Sequence, residues 1–256
     1  AGSDSSGGAG IQADLKTFSA IGTYGMSVIT AITAQNTMGV FDVEELSRNI
    51  IKGQMKAVFE DIMPKAVKIG MVSSPEIILE IVDNLKKYKP ETIIVDPVMI
   101  SKSGYSLLRP EAKENLIKYL IPIAYLITPN VPEAEEITGM KIETVEDMKK
   151  AGKKILDLGP KYVLVKGGHL DGDAVDVLMG EDTFEVFTSE RLDRKNTHGT
   201  GCTLSSAITS HIALGYDVVE AVRLSKQYIT EAIRHSFDIG HGVGPVNHFY
   251  KFEGIE

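Results

Sequence analysis

The feature that most restricts how this chain can fold is a repeated grammar. Short apolar runs rich in β-branched residues stop on polar residues, and each is followed by a helix-compatible segment. The runs are Met26–Ile32, Ala66–Gly70, Thr92–Val95, Ile123–Ile127 and Tyr162–Val165. Runs that are apolar without alternation suit strands buried on both faces. Strands alternating with helices through short connections predict an α/β chain with a mainly parallel sheet between helical layers. Helices are expected after the opening glycine-rich loop (Ile11, Leu15 and Phe18 at helical spacing) and after Ser74-Pro75. Others are expected over Pro110–Leu120, from Thr144 with Asp147, and over Val218–Phe237. A further helix is expected where Asp42 serves as cap with Glu45 three residues on, its stripe formed by Val43, Leu46, Ile50, Val58 and Phe59. Ala174–Met179 and Thr183–Phe187 around Gly180-Glu181-Asp182 read as a hairpin. The 256 residues carry no internal repeat and no linker-like stretch, so one domain over residues 1–256 is expected.

Ligands of open parallel sheets bind beyond the carboxyl ends of the strands. The residues at those ends here are Gln35, Met71, Asp96, Asn130 with Glu133, and Lys166. Asp96 and Glu133 are oxygen ligands able to hold Mg²⁺, directly or through water, and equally able to cap a turn or a helix. Lys166, just before Gly167-Gly168, could reach a phosphate or stand as a solvated strand-end lysine.

Two glycine-rich loops run into helices. Asn196-Thr197-His198-Gly199-Thr200-Gly201-Cys202 leads into an apolar segment, where turned backbone N–H groups and a helix start can cradle a phosphate. Cys202, the single cysteine, lies at that helix start, where a thiol pKa is expected to fall. An ordinary turn before a buried helix with a core cysteine fits the same residues. His198 reads either as part of the anion loop or as a loop histidine bonded to backbone. The loop Ala1–Gly10 has the same grammar, with no strand before it.

A net charge of −8 with no basic block argues against nucleic acid or an anionic membrane as partner. One cysteine excludes an internal disulfide and fits a reducing, cytoplasmic setting. The longest apolar stretches, such as Tyr119–Ile127, are too short to cross a bilayer. The histidines form no zinc-ligand pattern, and neither a Gly-x-Ser-x-Gly elbow nor a Walker A loop is present.

Taken in order, several segments resemble the hydroxymethylpyrimidine/phosphomethylpyrimidine kinases of the ribokinase-like superfamily. They are Ala1–Asp14, Ala34-Gln35-Asn36-Thr37, Lys68-Ile69-Gly70-Met71, Asp96-Pro97-Val98-Met99, Thr128–Glu133, Lys166-Gly167-Gly168-His169, Asn196–Thr203 and Gly240–Val246. The resemblance spans the chain and implies a ribokinase-like three-layer α/β/α sandwich with a central, mainly parallel sheet. It implies an ATP- and Mg²⁺-dependent phosphorylation of 4-amino-5-hydroxymethyl-2-methylpyrimidine and then of its monophosphate. Gly199, Thr200, Gly201 and Cys202 would form the anion hole, with Cys202 as base where most relatives of the superfamily carry aspartate. Gln35 would read the aminopyrimidine edge, with Gly10, Asp14, Met71 and Val98 beside it. Lys166, Asn130, Gly168 and Thr197 would face ATP, Asp96 and Glu133 would lie near the Mg²⁺, and the turn Gly240–Pro245 is the expected adenine neighbour. The resemblance also implies a homodimer and a strand just ahead of Ala1, so a longer natural protein is expected. A pyridoxal or pyridoxine kinase on the same scaffold is the alternative. A nucleotide-binding regulatory protein without catalysis is a third reading, against which the complete set Lys166, Asp96, Glu133 and Cys202 argues.

Overall fold

The computed structural model describes residues 1–99, 107–168 and 172–252. Helix α1 (Gly10–Ile21) follows the opening glycine loop, and strands β1 (Ala31–Asn36) and β2 (Gly39–Glu45) form a small antiparallel sheet. Then come α2 (Arg48–Asp61), β3 (Ala66–Ile69), α3 (Pro75–Tyr88), β4 (Thr92–Val95), α4 (Pro110–Asn115), β5 (Leu126–Ile127), α5 (Val131–Thr138) and α6 (Val145–Leu156). The chain continues through β6 (Tyr162–Lys166), the hairpin of β7 (Ala174–Gly180) and β8 (Phe184–Ser189), α7 (Thr200–Ala213) and α8 (Val218–Arg234).

Among the described residues the main sheet has six strands whose spatial order follows the chain, β3 to β8. The first four are parallel, and β7 and β8 close the far edge antiparallel. All four residues of β4 are buried, because the strand has helices on both faces. Ile93 and Val95 join Ile127, Val163 and Val165 in the core under α3, α5 and α6. Ile94 joins Leu126, Leu164 and Leu178 in the second core, under α7 and α8. The period of two along a strand therefore sorts its residues into two cores, which makes the three layers expected from the sequence. Local chemistry agrees at the helix starts: Ser74 and Thr144 accept from the backbone N–H groups of Ile77 and Asp147.

Three expectations are corrected. The run Met26–Ile32 is not a strand of the main sheet. Its middle residue is tied instead to α2, where Gln54 accepts from the Ile29 N–H (2.9 Å) and donates to the Ile29 carbonyl (3.0 Å). The strand begins at Ala31, so Gln35 stands in the small sheet and not at the edge of the large one. The helix expected from Asp42 is β2: Val43 pairs with Thr33 and Asp42 with Ala34, and the helix starts at Arg48 with Ser47 as its cap. The buried stripe of α2 accordingly shifts to Ile51, Met55 and Phe59, leaving Ile50 exposed. The strand expected over Ile123–Ile127 shrinks to Leu126–Ile127, Ile121–Ile123 being a 3-10 turn around Pro122.

Leu164 is fully buried in the second core. Leu164→Ala is expected to lower the unfolding free energy by about 2–5 kcal/mol in chemical denaturation, the usual range for a large aliphatic truncated in a packed core. A loss of less than ~1 kcal/mol would mean the sheet's second face is looser than described.

Candidate active site

The parallel strands end on one side of the sheet, and a cleft of about 1040 Å³ opens there. It is lined by Gly10, Gln35, Met71, Val98, Asp96, Asn130, Glu133, Lys166, Gly168, Thr197 and the run Gly199–Cys202. Residues chosen from the sequence at five strand ends and two glycine-rich loops thus meet in one space. His169, at the end of the Lys166 motif, lies outside the described residues.

Asp96 continues β4 directly and is 2% exposed. The Lys166 Nζ donates to its Oδ1 at 2.9 Å and Thr128 Oγ1 to the same oxygen at 3.1 Å, while Ser205 Oγ on α7 donates to Oδ2 at 3.1 Å. Burial disfavours the charged carboxylate, but Lys166, then Lys68, outweigh it and hold the Asp96 pKa below the ordinary carboxylate range. The Lys166 ammonium is correspondingly raised against its burial, chiefly by Asp96 and Glu133.

Asn130 caps α5 and forms a capping box with Glu133: each side chain accepts from the other's backbone N–H at 2.9 Å. The capping role open at the sequence level is therefore real, and both residues still line the cleft. Burial pushes the Glu133 pKa up to about 7, with Lys166 opposing and Asp96 reinforcing. Among the described residues, no group of three or more His, Cys, Asp or Glu side chains is placed to hold a metal ion. With Asp96 already accepting three hydrogen bonds, the pair suits a hard cation that keeps most of its waters and takes its other ligands from a phosphate chain.

Helix α7 begins at Thr200, with Gly199 in the left-handed region (φ 81°) as its cap. A side chain at Gly199 would collide with the Gly8 carbonyl, so the two glycine-rich loops are in backbone contact. The first intrahelical bond runs from the Thr203 N–H to the Gly199 carbonyl at 2.9 Å, which leaves the Gly201 and Cys202 N–H groups without an intrahelical acceptor at the mouth of the cleft. A Cβ placed on Gly201 would lie 3.6 Å from Lys166 Nζ and 3.9 Å from Asp96 Oδ2. The helix start, the lysine and the aspartate therefore surround one small volume. The expected fall in the Cys202 pKa is not found: burial pushes the thiol up, and Lys68 and the Gly10 N–H oppose it without prevailing.

Two further expectations are revised. Asp14 does not line this cleft. Buried on α1, it accepts from Lys68 Nζ (2.8 Å) and from Ser206 Oγ (2.7 Å). The turn Gly240–Pro245 packs on Thr37 and Asn196 instead of lining the cleft, whose apolar wall is built by Leu192, Leu204, Ile229 and Ile233. Lys68 itself is the residue that sequence reasoning left without a role: it lines the cleft while its side chain is only 2% exposed. Its position at the end of β3 was the available signal, since an inward-facing lysine on a buried strand needs a partner.

Residues 4–247 match the phosphomethylpyrimidine kinase family. The chain is 51% identical over 256 residues to the hydroxymethylpyrimidine/phosphomethylpyrimidine kinase of Rhizobium meliloti, covering 98% of this chain and 96% of that one. It is 48% identical over 256 residues to the thiamine biosynthesis bifunctional protein of Geobacter sulfurreducens, covering all of this chain and about half (52%) of that protein. Among solved structures, phosphomethylpyrimidine kinase from Clostridium difficile 630 aligns with a TM-score of 0.82 and 74% identity, over 91% of this chain and 96% of that one. An ADP complex of Bacillus subtilis pyridoxal kinase aligns with a TM-score of 0.90 and 42% identity, over 96% and 94%. The family match spans most of the chain and these relatives cover it almost completely: the chain belongs to the hydroxymethylpyrimidine/phosphomethylpyrimidine kinases, ribokinase-like phosphotransferases of thiamine biosynthesis.

Proposed function

We propose that this chain, working as one kinase domain, uses Mg-ATP to phosphorylate the hydroxymethyl group of 4-amino-5-hydroxymethyl-2-methylpyrimidine and then the resulting monophosphate. The observation that carries this reading is the convergence of the α7 start, Lys166 and Asp96 around Gly201. Phosphoryl transfer is accelerated chiefly by positioning and by stabilising charge on the transferring group, and these groups supply both. The Gly201 and Cys202 amides would receive the phosphoryl oxygens, and Lys166 would follow the charge from one phosphate to the next. Asn130, Gly168 and Thr197 would flank the nucleotide, with its base against the Leu192, Ile229 and Ile233 wall. Asp96 and Glu133 would hold the Mg²⁺ through its water shell, and the cation would supply charge neutralisation between the phosphates.

Gln35 offers a donor and an acceptor, which suits a ring nitrogen beside an exocyclic amine, and Met71 and Val98 give flat apolar contact. Asp14 acts one step removed, holding Lys68 in place. Cys202 is assigned the hydroxyl proton. In the free protein it is held as a thiol, so the thiolate needs Lys68 and the Gly10 amide to favour it once the site is filled. A pyridoxal-type alcohol is the second reading, favoured by the likeness to a pyridoxal kinase over 96% of the chain. A preference worth only ~1–3 kcal/mol separates the two rings.

A phosphorylation assay with ATP and Mg²⁺, run in parallel on the hydroxymethylpyrimidine, its monophosphate, pyridoxal, pyridoxine and ribose, tests the reading. The two pyrimidines are expected to give the highest kcat/KM, and EDTA to abolish turnover. Higher kcat/KM on pyridoxal would transfer the assignment to the second reading, and turnover of ribose alone would overturn both. Cys202→Ala is expected to lower kcat by about 10²–10⁴, the range for loss of a general base; near-normal turnover removes that role. In the free enzyme, iodoacetamide is expected to alkylate Cys202 more slowly at neutral pH than it alkylates free cysteine. The rate should keep rising through pH 9 without levelling off, because the thiol pKa is raised above its ordinary value of 9.0. Fast labelling at pH 7 would show a depressed pKa instead.

A further inference from the structure

The opening loop has the composition of a ligand-binding loop, yet its amides point elsewhere. Asp4 gathers them. Its Oδ1 accepts from the Ser6 N–H (2.9 Å) and Ser6 Oγ (2.7 Å), and its Oδ2 from the Gly8 (3.1 Å) and Ala9 (2.8 Å) N–H groups. The loop is wound around a carboxylate of its own, so those N–H groups are not offered to a phosphate. One further donor reaches Asp4 from the far end of the chain: His198 Nε2, 2.7 Å from Oδ2. The two side chains are only 1% and 9% exposed. Burial works against the Asp4 charge, but the bonds from His198 and Ser6 hold its pKa down at about 2.

His198 is fixed on its other sides as well. Its N–H donates to the Gly244 carbonyl (3.0 Å) and its carbonyl accepts from the Val246 N–H (3.4 Å). A side chain at Gly8 would strike the His198 ring, and one at Gly199 would strike the Gly8 backbone. The Gln35 amide nitrogen lies 3.5 Å from His198 Nε2. The imidazole therefore stands between the residue assigned to the pyrimidine and the glycine that opens the anion hole.

We propose that Asp4 and His198 form a positioning clasp that locks the two glycine-rich loops into one cradle, setting the anion hole relative to the substrate alcohol. The inference rests on the kinase reading above. Neither residue is assigned a proton transfer. Their work is to hold Gly199 and Gln35 at a fixed separation, and a displacement of about 1 Å between reacting groups can cost on the order of 10²-fold in rate.

Asp4→Asn, His198→Phe, the double variant and His198→Gln test the clasp. Each of the first two is expected to lower kcat for the pyrimidine alcohol by ~10–10²-fold while the KM for ATP changes little. The double variant should be no slower than the worse single one, since both break one contact. His198→Gln keeps an N–H donor toward Asp4 and should recover most of the rate. Independently of any substrate, hydrogen exchange in Asp4→Asn should quicken at the amides of both residues 5–10 and 196–202. Multiplicative losses in the double variant, or faster exchange confined to residues 5–10, would overturn the clasp. Should His198→Phe fail to fold, Asp4→Asn and His198→Gln carry the same comparison. A wild-type protein inactive on every alcohol overturns the kinase reading, while the exchange pattern still decides whether the loops are locked together.

Discussion

A buried ion pair at the strand ends is what the rest of the site depends on. Lys166 closes β6 and Asp96 follows β4, and their side chains meet at 2.9 Å with only 13% and 2% of their surfaces exposed. Taking two charges out of water is costly, and the attraction compensates only when the remaining lone pairs are also satisfied. Thr128 after β5 and Ser205 on α7 complete that satisfaction. One carboxylate thereby connects three adjacent strands of the sheet to α7, the helix whose start opens onto the cleft. Loss of one partner from such a pair leaves an uncompensated buried charge, at about 3–5 kcal/mol. The relative placement of the sheet edge and the helix is therefore fixed by electrostatics as well as by packing.

The same device recurs around the cleft. Lys68 on β3 pairs with Asp14 on α1 at 2.8 Å, and Lys226 on α8 pairs with Asp176 on β7 at 2.6 Å. Asp176 also accepts from the Gly167 N–H (3.1 Å), steadying the turn that follows Lys166. Each pair joins elements distant in the chain, so the cleft is framed by cross-links of opposite charge instead of by one continuous apolar wall. The capping box of Asn130 and Glu133 adds a fourth fixed point, since the carboxyl group that faces the cleft also terminates a helix.

Much of this was legible in the sequence where a local pattern had one physical meaning. Four apolar runs mark the parallel strands, and the polar residues ending them point to the cleft because strand direction puts them on one side. Two glycines around Thr200, followed by a helical segment, mark the start of α7 for the same local reason. The small sheet was misread because Asp42 and Glu45 satisfy the spacing of a helix cap while Gly39–Glu45 equally suits a strand, and only pairing with β1 decides between them. Asp14 was placed beside the substrate by the family resemblance alone, but its carboxylate is turned toward Lys68, 54 residues on. The Asp4 and His198 contact spans 194 positions and has no local signature at all. The Cys202 pKa followed burial rather than helix position, and burial is a property of the finished fold.

The pairing of the cleft lysines has a kinetic consequence. The chain carries a net charge of −8, and the cations Lys68, Lys166 and Lys226 at the cleft are each matched by a neighbouring aspartate. At physiological ionic strength the field of such paired charges fades within about 8 Å. A polyanion drifting toward the protein thus gains little at long range from these three lysines, unlike the pull of unpaired cations in a basic funnel. At Lys166 attraction begins only once the anion is close enough to compete with Asp96, so this lysine discriminates among anions by contact geometry and not by the rate of encounter.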